Sequence, residues 1–321
     1  MRPSPDVRIR VQRDVGEGPR SALAGLHRLD HAGTYLPTFA WGALVVASGI
    51  SALWSPWLLV GLAINALTVF GGFVLNTVVD IRSDLRNAKK RYMTDALRSI
   101  GVQRAVRIYF AEQVSAIAIA MTAAVALDRP FIVGATILAI AANWAYSAPP
   151  FRMKSRIIIG PLCMGIKSGL APGLIAMSTV PDTQFNAAAS VLLFGLTLST
   201  ASRGVWHSIP DLHADQASGI HTIAVRHGAV RAAQGAVLAT AIGCGLNLAA
   251  CIWLMGWWGL VACTGMVITI YHRYRVGSLA DESAIIDHMN EPRSEVINAR
   301  WNRATYSILC VASLGHLVIP G

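Results

Sequence analysis

Asn76-Thr-Val-Val-Asp80-Ile-Arg-Ser-Asp84 closes a long apolar run, Pro56 to Leu75, and opens a strongly basic segment. Its amide and its two carboxylates, Asn76, Asp80 and Asp84, are four positions apart. On an α-helix each such step turns about 400° and climbs about 6 Å, so Asn76, Asp80 and Asp84 share one stripe. Carboxylates at a membrane edge are costly to place and mark function more often than structure.

The run before this stretch is not alone. The chain has 321 residues, of which 54% are hydrophobic and 14% charged, with a mean hydropathy of +0.50. That balance excludes an ordinary soluble domain. Nine apolar segments follow the first 30 residues, at about 35–54, 56–75, 105–127, 130–146, 157–180, 187–209, 232–254, 257–274 and 304–319. Their lengths predict an all-α integral membrane protein with nine transmembrane helices. Residues 1–30 read as a flexible basic tail, and 31–321 as a single membrane domain. No basic segment leads into an apolar core at the start, so no cleaved secretory leader is expected.

The net charge of +10 has a topological explanation. With the N-terminus inside, 24 of the 27 Lys and Arg residues fall in the tail, in the loops after segments 2, 4, 6 and 8, or, as Arg107 and Arg273, at the segment ends beside those loops. The positive-inside rule places those regions in the cytoplasm, and no nucleic-acid partner is needed. Arg129 lies in an opposite-side loop, while Lys167 and Arg203 fall within spans. The five cysteines sit inside apolar segments without metal-ligand spacing, as buried small hydrophobes.

The same topology brings a second acidic pair, Asp211 and Asp215, to the cytoplasmic end of segment 6. Arg152-Met-Lys154-Ser-Arg156 and the basic loop 82–107 share that face. Two carboxylate-bearing helix ends with an Asn amide offer hard oxygen donors suited to Mg²⁺, which is often completed by substrate phosphates. Lys and Arg around them would hold phosphate oxygens. His207, His213, His221 and His227 lack zinc-like spacing and read as loop residues.

At this level the chain resembles the UbiA superfamily of intramembrane prenyltransferases. The pattern NxxxDxxxD is met by Asn76, Asp80 and Asp84. DxxxDxxxGxxTxxxxxG is met by Asp211, Asp215, Gly219, Thr222 and Gly228. Tyr146-Ser-Ala-Pro-Pro150-Phe-Arg152-Met-Lys154 is similar to the family's YSxPPxRxK, and Arg28-Leu-Asp30-His-Ala-Gly33-Thr34-Tyr-Leu-Pro37 to its first-helix entry.

The resemblance implies nine helices around a central cavity beneath a cytoplasmic cap. It also implies a cell-membrane enzyme that ionises a polyprenyl diphosphate and passes the prenyl group to an aromatic or other small acceptor. Asn76, Asp80, Asp84, Asp211 and Asp215 would hold Mg²⁺ and diphosphate. Arg91, Arg152 and Lys154 would contact phosphate, and Tyr146 would lie near the allylic carbon. Two positions depart from the pattern. The family's NxPxRPxPxG loop reads Asn87-Ala-Lys-Lys-Arg91-Tyr-Met-Thr-Asp-Ala here, which predicts a more helical cap. Ser208 stands where an extra Asp is common, a carboxylate that the family links to acceptor handling or to the second metal. A UbiA-type terpene cyclase, ionising the same substrate without an acceptor, is therefore the second reading. A transporter would place its carboxylates near mid-membrane, and here they gather at one face.

Overall fold

The computed structural model describes residues 19–85, 90–181, 183, 185–217, 219–279 and 281–319, and every regular element among them is helical. The helices are α1 (Pro19–Leu26), α2 (Ala32–Leu44), α3 (Pro56–Asp84), α4 (Arg91–Ile100), α5 (Val102–Leu127), α6 (Phe131–Ser147), α7 (Ile159–Ser178), α8 (Ala187–Ser208), α9 (Leu212–Ala217), α10 (Ile223–Met255), α11 (Trp258–Gly277), α12 (Glu282–Asn290) and α13 (Pro292–Val318).

Each of the nine expected segments falls on one of these helices. Among the described residues five helices are long and apolar enough to cross a membrane: α3 (over Pro56–Ile81), α5, α7, α8 and α10. The shorter α6 is also apolar. The chain is thus a multi-pass membrane protein. Its long helices pack as a closed ring in the order α2, α3, α5, α6, α7, α8, α10, α11 and α13, which returns to α2. Val114, Val125, Leu238 and Phe194 stand outward and exposed, as side chains facing hydrocarbon do. The exposed Trp54, Trp253 and Trp257 mark the end of the bundle opposite the acidic stretch, in the manner of an interfacial aromatic belt.

Without a hydrophobic force between helices in lipid, small residues must let backbones approach. Here α7 and α8 meet that way. A methyl group on Gly169 would lie 2.3 Å from Thr200 Oγ1 and 2.8 Å from the Leu196 carbonyl, and one on Gly165 would lie 2.5 Å from the Thr197 carbonyl. At those glycines α7 departs from α-helical register, with Ile166–Leu170 forming a π turn.

Four boundaries differ from the sequence reading. The first segment, read as one span over 35–54, stops at Leu44. Gly49 is extended and Ile50–Trp54 forms a separate 3₁₀ turn. The seventh segment starts at Ile223 rather than 232, because the Thr222 side chain accepts the Val225 N–H and caps the helix. It then kinks at Gly228, whose φ of 82° suits a residue without a side chain. The last segment begins twelve residues earlier than expected, at Pro292, the first-turn position where proline is tolerated.

Finally, the tail read as flexible over 1–30 contains α1. Ala22 and Leu26, one turn apart, bury against Ala96 and Leu97 of α4 and Val74 of α3. Residues 1–18 and 86–89 lie outside the described residues.

Gly169→Ala should cost roughly 1–3 kcal/mol by overpacking the α7–α8 contact. Gly134→Ala, which meets open space, should leave stability unchanged or raise it slightly. Thermal unfolding of the two variants in detergent checks the difference.

Candidate active site

α3 runs unbroken from its apolar body into Asp84, so the stripe predicted from spacing exists on a single helix. Asp80 and Asp84 are buried at 7% and 2% exposure. A buried carboxylate needs partners, and the loop after α6 supplies them. Arg152 Nη2 donates to Asp80 Oδ1 at 3.3 Å, and Lys154 Nζ donates to Asp80 Oδ2 in a short contact. Lys154 Nζ also reaches Asn76 Oδ1 at 3.5 Å, which Ser147 Oγ approaches at 3.3 Å. The loop is set for this by Arg152, whose φ of 39° turns the chain back.

Asp84 pairs with a residue that the motif reading passed over. Lys90 Nζ lies 3.2 Å from Asp84 Oδ1 and 3.8 Å from Asp211 Oδ2. One lysine therefore ties the first acidic motif to the second. The second motif sits at the turn after α8. The Asp215 N–H donates to the Asp211 carbonyl at 2.8 Å, and the Ile220 N–H to that of Asp215 at 2.9 Å. Arg91 points elsewhere. It is 83% exposed and pairs with Asp95 at 3.9 Å, so Lys90, its neighbour in sequence, takes the place among the carboxylates. Lys89 lies outside the described residues. Topology alone explains a basic loop here, and that background hid Lys90.

Electrostatics follow the burial. Asp84 is raised above the usual carboxylate range by burial, against the pull of Lys90. Asp215 is raised to about 6, by burial first and the neighbouring Asp211 second. Lys154 is lowered by burial although Asp80 opposes the shift. For Lys90 burial acts downward, but Asp211 and Asp84 outweigh it and the ammonium is held charged.

Tyr146 ends α6 and lines a narrow cleft with Lys154, Gly204, Ser208 and Thr222. Ser208 Oγ donates back to the Val205 carbonyl at 2.7 Å, within its own helix. As read from its sequence, α4 makes the segment after the first motif helical from Arg91.

Among the described residues no three Asp, Glu, His or Cys groups converge closely enough to hold a metal ion by themselves. The donors are nevertheless of the right kind. Four carboxylates and an amide are hard oxygen ligands, and Asp84 Oδ2 is buried without a hydrogen-bond partner. Lys90 and Lys154 lie where cationic charge is wanted. The set fits Mg²⁺ bound together with an anion that draws the lysines off the carboxylates.

A sequence model of the UbiA prenyltransferase family matches residues 35–289. No curated protein sequence matches the chain significantly. Among solved structures, a UbiA homologue from Archaeoglobus fulgidus bound to DMAPP and Mg²⁺ superposes with a TM-score of 0.70 at 15% identity, over 93% of this chain and 99% of that one. The same homologue bound to GPP and Mg²⁺ gives 0.70 at 14% identity, covering 93% and 100%. The apo UbiA homologue from Aeropyrum pernix K1 gives 0.64 at 17% identity, covering 89% and 97%. At these identities the likeness establishes the fold.

Metal binding at this site should depend on pH with a definite sign. As pH falls through about 6 the Asp215 carboxyl takes up a proton, and a metal must displace it. Apparent Mg²⁺ affinity, measured by titration in the presence of a diphosphate, should be high at about pH 7.5 and fall about tenfold per unit below about 6. In Asp215→Asn that slope should flatten.

Proposed function

Since this chain belongs to the UbiA prenyltransferase family, we propose that it is a Mg²⁺-dependent enzyme of the membrane. It ionises a prenyl diphosphate and transfers the prenyl group to a small acceptor. The observation that carries this reading is the convergence of two acidic helix ends on shared cations. Lys90 spans Asp84 and Asp211, while Lys154 and Arg152 hold Asp80. Solved relatives of the same fold bind DMAPP or GPP with Mg²⁺.

In this reading Asn76, Asp80, Asp84, Asp211 and Asp215 hold the metal, which when bound neutralises charge on the departing diphosphate. Lys90, Lys154 and Arg152 pass from the carboxylates to the phosphate oxygens, where preorganised cations favour bond breaking. The hydrocarbon enters the bundle past Tyr146, whose ring borders the cleft next to Lys154. Positive-inside bias orients the mouth and the N-terminus to the cytoplasm, and α4 forms part of a cap above the carboxylates.

A cyclase would share the ionising half. What favours keeping it as the second reading is Ser208, whose hydroxyl is spent on Val205 and offers no carboxylate beside the cleft. Asp80→Ala and Asp211→Ala should each lower diphosphate release by about a hundredfold or more; turnover unchanged in both would sink the enzyme reading. Incubation with C10, C15 and C20 diphosphates and Mg²⁺ separates the two products. Inert substrate until an acceptor is added indicates transfer, and cyclic hydrocarbon or alcohol without one indicates cyclisation.

A further inference from the structure

Glu112 is a carboxylate inside the membrane-spanning helix α5, and its Oε2 is buried without a hydrogen-bond partner. A methyl group on Gly71 of α3 would lie 2.9 Å from that oxygen, so the carboxylate is wedged against bare backbone. Gly71 is about 14 Å below Asp80 along α3, away from the ion pairs of the mouth. Ionisable groups at such depth are costly and take a definite partner. Here the partner is His27, directly after α1, whose Nε2 lies 2.6 Å from Glu112 Oε1. The two side chains are 14% and 19% exposed.

The other ring nitrogen decides the protonation. His27 Nδ1 lies 2.9 Å from the Leu23 carbonyl, which only accepts, so Nδ1 carries hydrogen. A neutral imidazole would then turn its lone pair on the carboxylate, and two acceptors repel at that distance. One further proton is therefore held between Nε2 and Oε1, in a charge-assisted bond. Burial, the largest influence on His27, pulls it down, but the Glu112 and Leu23 hydrogen bonds and the Glu112 charge outweigh it and raise it above its usual value.

The other charges around α1 are turned elsewhere. On α4, Arg91 and Arg98 face Asp95, and in the turn after α1 His31 faces Asp30. On α3, Asp80 and Asp84 face Lys154, Arg152 and Lys90. Arg104 and Arg107 of α5 are exposed, while Tyr92 of α4 and Tyr109 of α5 are the tyrosines beside α1.

What the pair holds is α1, and α1 sets two cations of the mouth. Arg28 follows His27 with a φ of 51°, a left-handed conformation that a residue with a side chain adopts at a cost. Its guanidinium stands 5.2 Å from the centre of the Phe73 ring, and its charge acts on both Asp84 and Lys90. Lys90 caps α4, which rests on α1 through Ala96 and Leu97 against Ala22 and Leu26. A methyl group on Gly25 would lie 3.3 Å from Ala96 Cβ, so the two helices are closely apposed.

We propose that His27 and Glu112 are a positioning pair that shares one proton, pins α1 to the bundle, and so holds Arg28 and Lys90 where a bound diphosphate meets them. The consequence for substrate rests on the prenyl-diphosphate reading; the pin itself does not. The sign follows from the raised imidazole. The pair's contribution to docking is complete below about pH 6.5, falls by up to about tenfold per unit as pH rises towards the raised value, and is absent above it.

The test uses the full chain in detergent. Hydrogen exchange of the α1 amides, corrected for intrinsic rate, is followed from about pH 6.5 to 9.5 without substrate, and affinity for geranyl thiodiphosphate with Mg²⁺ is measured over the same range. In wild type, α1 protection should fall by up to about tenfold per unit and then level off, with thiodiphosphate affinity falling alongside. Glu112→Gln replaces the shared proton by an amide N–H donated to neutral His27, whose Nδ1–H still reaches Leu23. Its α1 protection and its affinity, each taken as a ratio to wild type, should rise across that range. Glu112→Leu should lose about tenfold or more of α1 protection at pH 6.5, while the amides of α10 keep theirs and show that the bundle is folded.

An alkaline fall of the same size in Glu112→Gln and wild type would overturn the proposal, as would wild-type protection of α1 in Glu112→Leu. Loosening of α1 with thiodiphosphate affinity unchanged would overturn the positioning role. A wild type that binds no thiodiphosphate at any pH would strike the prenyl-diphosphate reading, whereas the exchange measurement, which contains no substrate, would still decide the pin.

Discussion

The ion pairs that Lys90 makes with Asp84 and Asp211 join two helix ends separated by more than a hundred residues of chain. Four buried or half-buried carboxylates at one end of a bundle repel one another, and in a low dielectric that repulsion is strong. The fold tolerates them because cations are delivered to the same place from independent elements. Lys90 comes from the turn before α4, and Arg152 and Lys154 from the turn after α6. Asp84 and Asp215 remain shifted upward in spite of those lysines, by burial above all. The site is therefore short of positive charge, which is what the proposed Mg²⁺ and diphosphate reading requires of it.

Deeper in the bundle the balance reverses. Lys167 and Arg203 meet rings instead of carboxylates, and Arg273 on α11 is 3% exposed, with its guanidinium donating to Ser202 Oγ at 2.6 Å and to Thr240 Oγ1. The interior is thus layered: an acidic mouth bridged by lysines, then a cationic stratum among aromatics, then the apolar body of α3, α5 and α7. Such layering suits a substrate that is itself layered, with a charged head at the membrane face and hydrocarbon beneath it.

Much of this was legible in the sequence for simple reasons. The helical stripe of Asn76, Asp80 and Asp84 depends on spacing alone, and the presence of apolar segments depends on hydropathy, so the stripe and the helices transferred to the structure. The ends of the first, seventh and last segments did not. Asp211 could be matched to Asp84 because topology put both at one face. Lys90 could not be singled out, since a basic loop is expected on the cytoplasmic side whatever any one lysine does. Arg91 was read from a motif whose prolines and glycine are missing here, and helix α4 turns it outward to Asp95. Arg273, counted with the loop after the eighth segment, is folded into α11 and buried. Hydropathy sees its charge but not the two hydroxyls that satisfy it. The π turn at Lys167 and the break after Leu44 depend on local packing between helices, which no single-sequence period records.

The central claim is that the two acidic motifs form one cation-and-diphosphate site. Its most direct test replaces Mg²⁺ with Mn²⁺ and records the paramagnetic resonance of the ion bound with geranyl thiodiphosphate. The account predicts ³¹P hyperfine coupling in wild type, lost in Asp84→Asn and lost again in Asp211→Asn. Coupling that survives unchanged in either variant would mean that the motifs act separately, and would contradict it.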